Sequence, residues 1–180
     1  MSRDQPPCRC LLCHDYGDEI EPMTAQTIAQ IHEHGWQVMM IPTDDVGPGW
    51  AFTIGLWHTH GIPELAMFGL DIYDMKDGLN GLAERALKGR PVKAGQLRHE
   101  VIDNHPVMLK AVDLRWYRTF FGSAIMFYRR PPFPLLQVVW PDHDGFFPWQ
   151  PESDVPYRRL QPQLWLTPTA HPKGVWTQDL

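Results

Sequence analysis

Two apolar runs of strand length, joined by a short polar loop, constrain the fold of this chain more than any other feature. The runs are residues 51–57 and 65–70, and the loop between them carries His58, His60 and Gly61. The second run lacks the apolar–polar alternation of a half-exposed strand, so the pattern predicts a central strand covered on both faces. We therefore expect a buried pair of strands with a hollow beside the histidine-bearing loop.

The remaining pattern predicts an α+β fold. Apolar residues spaced three and four apart predict helices over residues 25–34, 73–88 and 115–128. Shorter apolar runs predict further strands at residues 36–41, 99–102, 107–112 and 135–140. Because strands and helices do not alternate regularly, a doubly wound parallel sheet is disfavoured. We expect a mostly antiparallel sheet, barrel-like if it closes, with about three helices at its edge.

The composition is typical of one globular domain. The 180 residues are 43% hydrophobic and 21% charged, with a net charge of −5, which argues against binding to nucleic acid or to an anionic membrane. The sequence contains neither an apolar signal region nor the roughly 18 apolar residues that span a bilayer. We expect a cytoplasmic protein, with a homodimer as an open alternative.

The domain organisation follows from where cysteine and proline concentrate. Residues 1–22 form a cysteine-bearing N-terminal arm, residues 23–150 a single α+β domain, and residues 151–180 a proline-rich C-terminal arm. Trp165 and Trp176 are the side chains expected to pack this last arm over the domain.

All three cysteines lie within six positions, as Cys8, Cys10 and Cys13, with His14 directly after them. An odd, clustered set is a poor disulfide framework in a reducing compartment, and thiolates at this spacing can face one zinc ion. The fourth ligand could be His14, a distant histidine or aspartate, or water, and His14 is awkward because its neighbour Cys13 would bind the same ion. A disordered arm with reduced thiols and a redox or iron–sulfur site are the alternatives.

Candidate catalytic and cofactor-binding residues concentrate in two places. On a strand, His58 and His60 would face the same way, and Glu64 could orient one of them or act as a base. The predicted cofactor-binding residues are Thr53, Gly55, Trp57, Arg115 and Arg118, because a glycine in a strand often marks the close approach of a ligand and arginine suits phosphate or carboxylate. Each set also has a simpler interpretation. The histidines and Glu64 would cap a loop, Gly55 would relieve packing, and the arginines would form the outer face of an amphipathic helix.

Several motifs, spread in order over most of the chain, carry a resemblance to a known family. They are Cys8-x-Cys10-x-x-Cys13, Phe52-Thr-Ile-Gly-Leu56, Pro63-Glu-Leu65, Phe68-Gly-Leu70, Gln137-Val-Val-Trp-Pro-Asp142 and Phe147-Pro-Trp149. With these motifs the chain resembles the bacterial family called domain of unknown function 4262. That resemblance implies no particular activity, substrate or cofactor.

A weaker similarity, in the order of elements alone, is to the flavin-reductase-like split barrels. It implies one alternative function, that of a flavin- or deazaflavin-dependent oxidoreductase. The leading expectation from the residues is a small-molecule-binding domain with its pocket near residues 53–64 and an arm that binds zinc. A non-catalytic partner-binding protein, such as an adaptor or immunity factor, is the third class, because eight tryptophans suit an interface.

Overall fold

The computed structural model describes residues 8–17, 19–102, 105–129 and 131–177. Its strands are β1 (Gln37–Ile41), β2 (Trp50–Ile54), β3 (Glu64–Phe68), β4 (Leu97–Ile102), β5 (His105–Ala111) and β6 (Leu135–Val139). Its helices are α1 (Pro22–His34), α2 (Leu56–His60), α3 (Ile72–Leu87), α4 (Tyr117–Phe120), α5 (Gly122–Tyr128) and α6 (Val155–Leu160), with 3-10 turns at Leu114–Trp116 and Val175–Thr177. None of the helices in these described ranges has the length and apolar character needed to cross a bilayer.

The six strands form one sheet in the order β1-β2-β3-β6-β5-β4. The central pair, β3 and β6, is parallel, with Glu64 opposite Leu135, and the other four pairs are antiparallel. The predicted α+β class and the mostly antiparallel sheet are therefore confirmed. The sheet is open, with β1 and β4 at its edges, so the expected closure into a barrel does not occur.

Helices cover both faces of the sheet, which explains why the central strands are apolar throughout. On one face, Leu65 and Met67 of β3 pack with the buried side of α3, which includes Met75, Leu79 and Leu82. On the other face, Ala66 and Phe68 pack in an aromatic cluster supplied largely by α4 and α5. All five residues of β3 and all five of β6 are buried. The helices thus lie on the faces of the sheet and not at its edge.

Two predicted elements differ from the structure. The apolar run at 51–57 is not one strand, because β2 ends at Ile54 and α2 begins at Leu56. The helix expected over 115–128 is divided into a 3-10 turn, α4 and α5, with non-helical backbone (φ −124°, ψ 35°) at Phe121. The described residues therefore form six α-helices where about three were expected.

The segment after β6 is bonded to the sheet by buried amide side chains. Gln137 of β6 donates to the Pro162 carbonyl (2.7 Å) and accepts from the Leu164 amide (3.1 Å). Gln161 donates to the carbonyl of Trp140, which follows β6, at 2.6 Å. Trp176 packs edge-on against Phe68 and Phe120, and Trp165 against Trp149. These contacts hold the C-terminal segment against the aromatic face.

Candidate metal centre

The site begins where β2 ends, at Gly55. The backbone of Gly55 has a φ of 110°, a conformation that L side chains rarely adopt, and it turns the chain from β2 into α2. An added Cβ would lie 2.9 Å from Cγ1 of Ile31, so α1 also packs directly on this glycine. The turn directs His58, on α2, away from the sheet and toward the N-terminal segment.

The buried carboxyl of Glu64 holds this turn in place. Its Oε1 accepts from the amides of Gly55 (2.9 Å) and Trp57 (3.1 Å) and from the Tyr128 hydroxyl, and its Oε2 accepts from the Thr53 hydroxyl (2.6 Å). The amides of Gly55 and Trp57 lie at the start of α2, where backbone donors have no partner within the helix. Burial raises the pKa of Glu64, which is fully enclosed. These contacts are those of a structural anchor. A catalytic role for Glu64 stays a prediction.

The three cysteines lie on a tight turn that docks on α5. The amides of Cys13 and His14 both donate to the Cys10 carbonyl, at 3.0 and 3.1 Å. The Leu11 amide donates to the Phe127 carbonyl at 3.0 Å, which ties the turn to the last residues of α5. Cys10 is completely buried, whereas Cys13 is exposed. The turn thereby brings all three sulfur atoms to one side, facing α2.

His58 completes a group of four ligand atoms. Its Nδ1 lies 3.2 Å from the Cys10 sulfur, 3.4 Å from that of Cys13 and 3.9 Å from that of Cys8. The sulfurs of Cys10 and Cys13 are 3.6 Å apart, and all four ligand atoms lie within 4.8 Å of one another.

These separations fit a single tetrahedral ion. With metal–sulfur bonds of about 2.3 Å and metal–nitrogen bonds of about 2.0 Å, ligand atoms lie about 3.8 Å (S···S) and about 3.5 Å (S···N) apart. The observed distances of 3.2–3.9 Å fall around these values. The cluster of Cys8, Cys10, Cys13 and His58 could therefore hold a metal ion.

The charge on the thiols also favours a cation at this point. A hydrogen bond from Cys10 lowers the pKa of Cys8 to about 5, whereas the same contact raises the pKa of Cys10, and burial raises that of Cys13. The protein groups alone thus stabilise one thiolate among three sulfurs. A divalent ion would supply the positive charge that the other two thiolates need.

The histidines are placed differently from the expectation. His14 is outside the ligand group: its side chain is exposed and its ring lies 6.1 Å from that of Tyr16. His58 and His60 were expected on one face of a strand, which is wrong because both lie on α2, where residues two apart diverge. His60 instead packs edge-on against Trp36, with a ring-centroid separation of 6.0 Å. The sequence left the fourth ligand open, with a distant histidine among the alternatives. The histidine that lies beside the three sulfurs is His58.

The predicted cofactor-binding residues do not converge on one pocket. Thr53 and Trp57 are buried, and Thr53 both donates to Glu64 and accepts from the Leu65 amide at 2.9 Å. Arg115 is exposed and pairs with Asp113 at 3.5 Å. Arg118 lines a cavity of about 440 Å³ together with Trp50, Phe120 and Trp176. A cofactor-binding role for the set stays a prediction, and Arg118 lines a cavity.

Comparison with known families gives one match. The family model described as Domain of unknown function (DUF4262) matches residues 30–154. The chain belongs to this family. His58 lies inside the matched segment, whereas the three cysteines precede it. No match was found among curated proteins or among solved structures.

Proposed function

We propose that this DUF4262 protein binds a structural zinc ion through Cys8, Cys10, Cys13 and His58. The observation that carries the proposal is that four of the six separations between the ligand atoms, at 3.2–3.9 Å, lie near the edge lengths of one tetrahedron, with all four atoms within 4.8 Å of one another. Three soft sulfur ligands and one imidazole favour zinc over the harder divalent ions. Four protein ligands close the coordination sphere, which is the arrangement of a structural site and not of a hydrolytic one.

The proposed ion joins two parts of the chain that are distant in sequence. The cysteine turn supplies three ligands, and α2, more than forty residues later, supplies the fourth. Binding would therefore close a long loop and fix the N-terminal segment on α2 and α5. In this proposal the metal contributes directly to the stability of the folded chain.

Metal analysis of two matched histidine variants tests the proposal. We expect one zinc per chain in the wild type and in His14→Ala, and loss of most of it in His58→Ala and Cys10→Ser. Cobalt substitution should give the visible spectrum of tetrahedral thiolate coordination in the wild type and His14→Ala only. Equal metal content in His58→Ala and His14→Ala would refute the assignment of the fourth ligand.

Small-molecule binding is a second candidate function, favoured by the cavity beside Arg118. Its volume of about 440 Å³ lies in the range of ligand sites, and three aromatic side chains, Trp50, Phe120 and Trp176, form its walls. Amide NMR shifts on titration with uncharged aromatic fragments and with flavin mononucleotide would test it. Thr119→Trp should fill the cavity and abolish the shifts, whereas Leu114→Trp, at an exposed site outside the lining, should leave them unchanged.

A further inference from the structure

A second and larger cavity lies between α6 and the C-terminal turn. Its volume is about 760 Å³, and it shares Val175 and Trp176 with the cavity beside Arg118. Trp149 and Trp176 stand in its lining, with Arg158 and Arg159 from the end of α6 and Lys173 from the C-terminal segment. It is remote in sequence from the metal ligands, so its function is a separate question.

Two indole rings give this cavity a rigid apolar wall. Trp149 stacks on Phe147 with centroids 4.7 Å apart and planes 3° from parallel, and the Lys110 ammonium lies 4.4 Å from its ring centroid. Trp176 is fixed by a hydrogen bond from its Nε1 to the Arg159 carbonyl (3.0 Å) and by the edges of Phe68 and Phe120. Walls that are already ordered cost little entropy when a ligand binds.

The charged side chains of the lining are all positive. Among the described residues, Arg158, Arg159 and Lys173 line the cavity and no carboxylate does, although the whole chain carries 21 acidic and 16 basic residues. None of the three forms an ion pair with a carboxylate within the described ranges. A site with this charge favours an anion.

The histidine in the lining adds a fixed neutral group. His171 Nε2 accepts from the Gln163 amide at 2.9 Å, so the ring proton lies on Nδ1 and is donated to the Pro172 carbonyl at 2.7 Å. Burial lowers the pKa of His171, which keeps the ring neutral near pH 7. The positive charge of the cavity therefore comes from the arginines and the lysine.

We propose that this cavity binds a small anion that carries a carboxylate or phosphate group on an apolar ring. The ring packs against Trp149 and Trp176, and the anionic group lies against Arg158 and Lys173. Arginine suits both groups because its planar guanidinium can donate two parallel hydrogen bonds. The inference is independent of the zinc site and rests on the proposed small-molecule function, for which it names a ligand class.

Calorimetric titration of the whole 180-residue chain, as purified, tests the proposal with three probes. Phenyl phosphate and benzoate represent the two anionic groups, and benzyl alcohol is the neutral control. We expect at least one anion to bind with millimolar affinity or better, and benzyl alcohol to bind at least tenfold more weakly. The preferred anion distinguishes a phosphate ester from a carboxylic acid as the ligand.

Charge-removing variants locate the binding. Arg158→Gln should weaken binding of the preferred anion at least tenfold, and Lys173→Gln, at an exposed position that does not endanger the fold, about threefold. Arg90→Gln, which removes an exposed arginine outside the cavity, should change nothing. Failure of both anions to bind at millimolar concentration, or equal affinity for benzyl alcohol, would overturn the proposal. Binding that persists in Arg158→Gln and Lys173→Gln but disappears in Thr119→Trp would reject this cavity while retaining the small-molecule function.

Discussion

At the scale of single residues, Glu64 shows that the surroundings of a side chain determine its role. In the sequence it follows a histidine-bearing loop and has the features of a general base. In the structure four donors surround its carboxyl, from Thr53, Gly55, Trp57 and Tyr128, and no cation is among them. These donors replace the water that the carboxyl loses on burial, and they thereby reduce the free-energy cost of burying it. Glu64 thereby positions α2, and with it His58.

Removal of the Glu64 carboxyl should destabilise the protein strongly. Glu64→Ala leaves several buried donors without a partner, so we expect the free energy of unfolding to fall by about 3–5 kcal/mol. Glu64→Gln keeps one acceptor oxygen for the amides and should cost less. Urea denaturation measures both, with the exposed Glu84→Gln as the control, expected within about 0.5 kcal/mol of the wild type. Equal stability of Glu64→Ala and the control would refute the anchoring role.

The pH dependence of stability gives an independent test of the same residue. Burial raises the pKa of Glu64 above its ordinary value of 4.5. Because the folded state then holds the proton more tightly, this stabilisation is full below the unfolded pKa and is lost as pH rises through the folded pKa. We expect the stability of the wild type relative to Glu64→Gln to fall as pH rises from 4.5. Taking the difference cancels every pH effect that the two proteins share, and a difference independent of pH would contradict the assignment.

At the scale of elements, the replacement of a predicted strand by β2, Gly55 and α2 places His58 beside the three cysteines and so forms the candidate metal site. The left-handed backbone at Gly55 ends β2, and the Glu64 carboxyl caps the start of α2. Trp57 and Leu56 stay buried as an apolar pattern requires, so the apolar run itself does not distinguish strand from helix.

Alanine at Gly55 should therefore disturb both the turn and the candidate metal site. Its φ of 110° strains any side chain, and a Cβ would meet Ile31 at 2.9 Å. We expect Gly55→Ala to lower the free energy of unfolding by about 2–4 kcal/mol. Gly122→Ala is the matched control, since nothing lies within 4 Å of its added Cβ at the start of α5. That variant should change stability by less than about 1 kcal/mol, in the stabilising direction. Similar losses in both would argue against a special role for Gly55.

At the scale of the whole molecule, the C-terminal segment is packed so closely that it belongs to the core. Leu164 is completely buried, and Trp176 is anchored between Phe68 and Phe120. At Gly69, just after β3, an added Cβ would lie 2.1 Å from the Leu160 carbonyl oxygen. Both cavities have walls from this segment, so its position determines whether they exist.

A pair of glycine variants measures this packing apart from backbone strain. Gly69 and Gly89 have similar positive φ values, 78° and 86°, but only Gly69 has close neighbours. Gly89→Ala should lower the free energy of unfolding by about 1 kcal/mol, from backbone strain alone. Gly69→Ala should lower it by at least about 2 kcal/mol more. Urea denaturation measures the stability, and amide NMR shifts around Trp176 report displacement of the segment. Equal losses of stability in the two variants would show that the C-terminal segment can move away from Gly69 at little cost in free energy.

The particular elements show what local pattern can and cannot predict. The helix α3 was predicted within one residue at each end because its apolar stripe and the glycine after it, Gly89, are local signals, and the structure adds a cap by the Asp71 carboxylate. The short α2 was missed because long-range contacts from Tyr128 and Glu64 stabilise its start, and the break at Phe121 was missed because the apolar spacing continues across it. The three cysteines were recognised from spacing, whereas the choice of His58 over His14 required the fold.

The sequence by itself determined the composition of the layers and the nature of the ligands. Apolar runs mark the buried segments, apolar periodicity marks the main helix, and clustered thiols supply ligands that suit a soft metal, because each depends on residues close in the chain. The tertiary structure decided which distant groups meet: the cysteine turn with His58, Glu64 with the start of α2, and the C-terminal segment with the aromatic face. These long-range contacts depend on how the helices and the C-terminal segment pack on the sheet. Local propensity does not encode that packing.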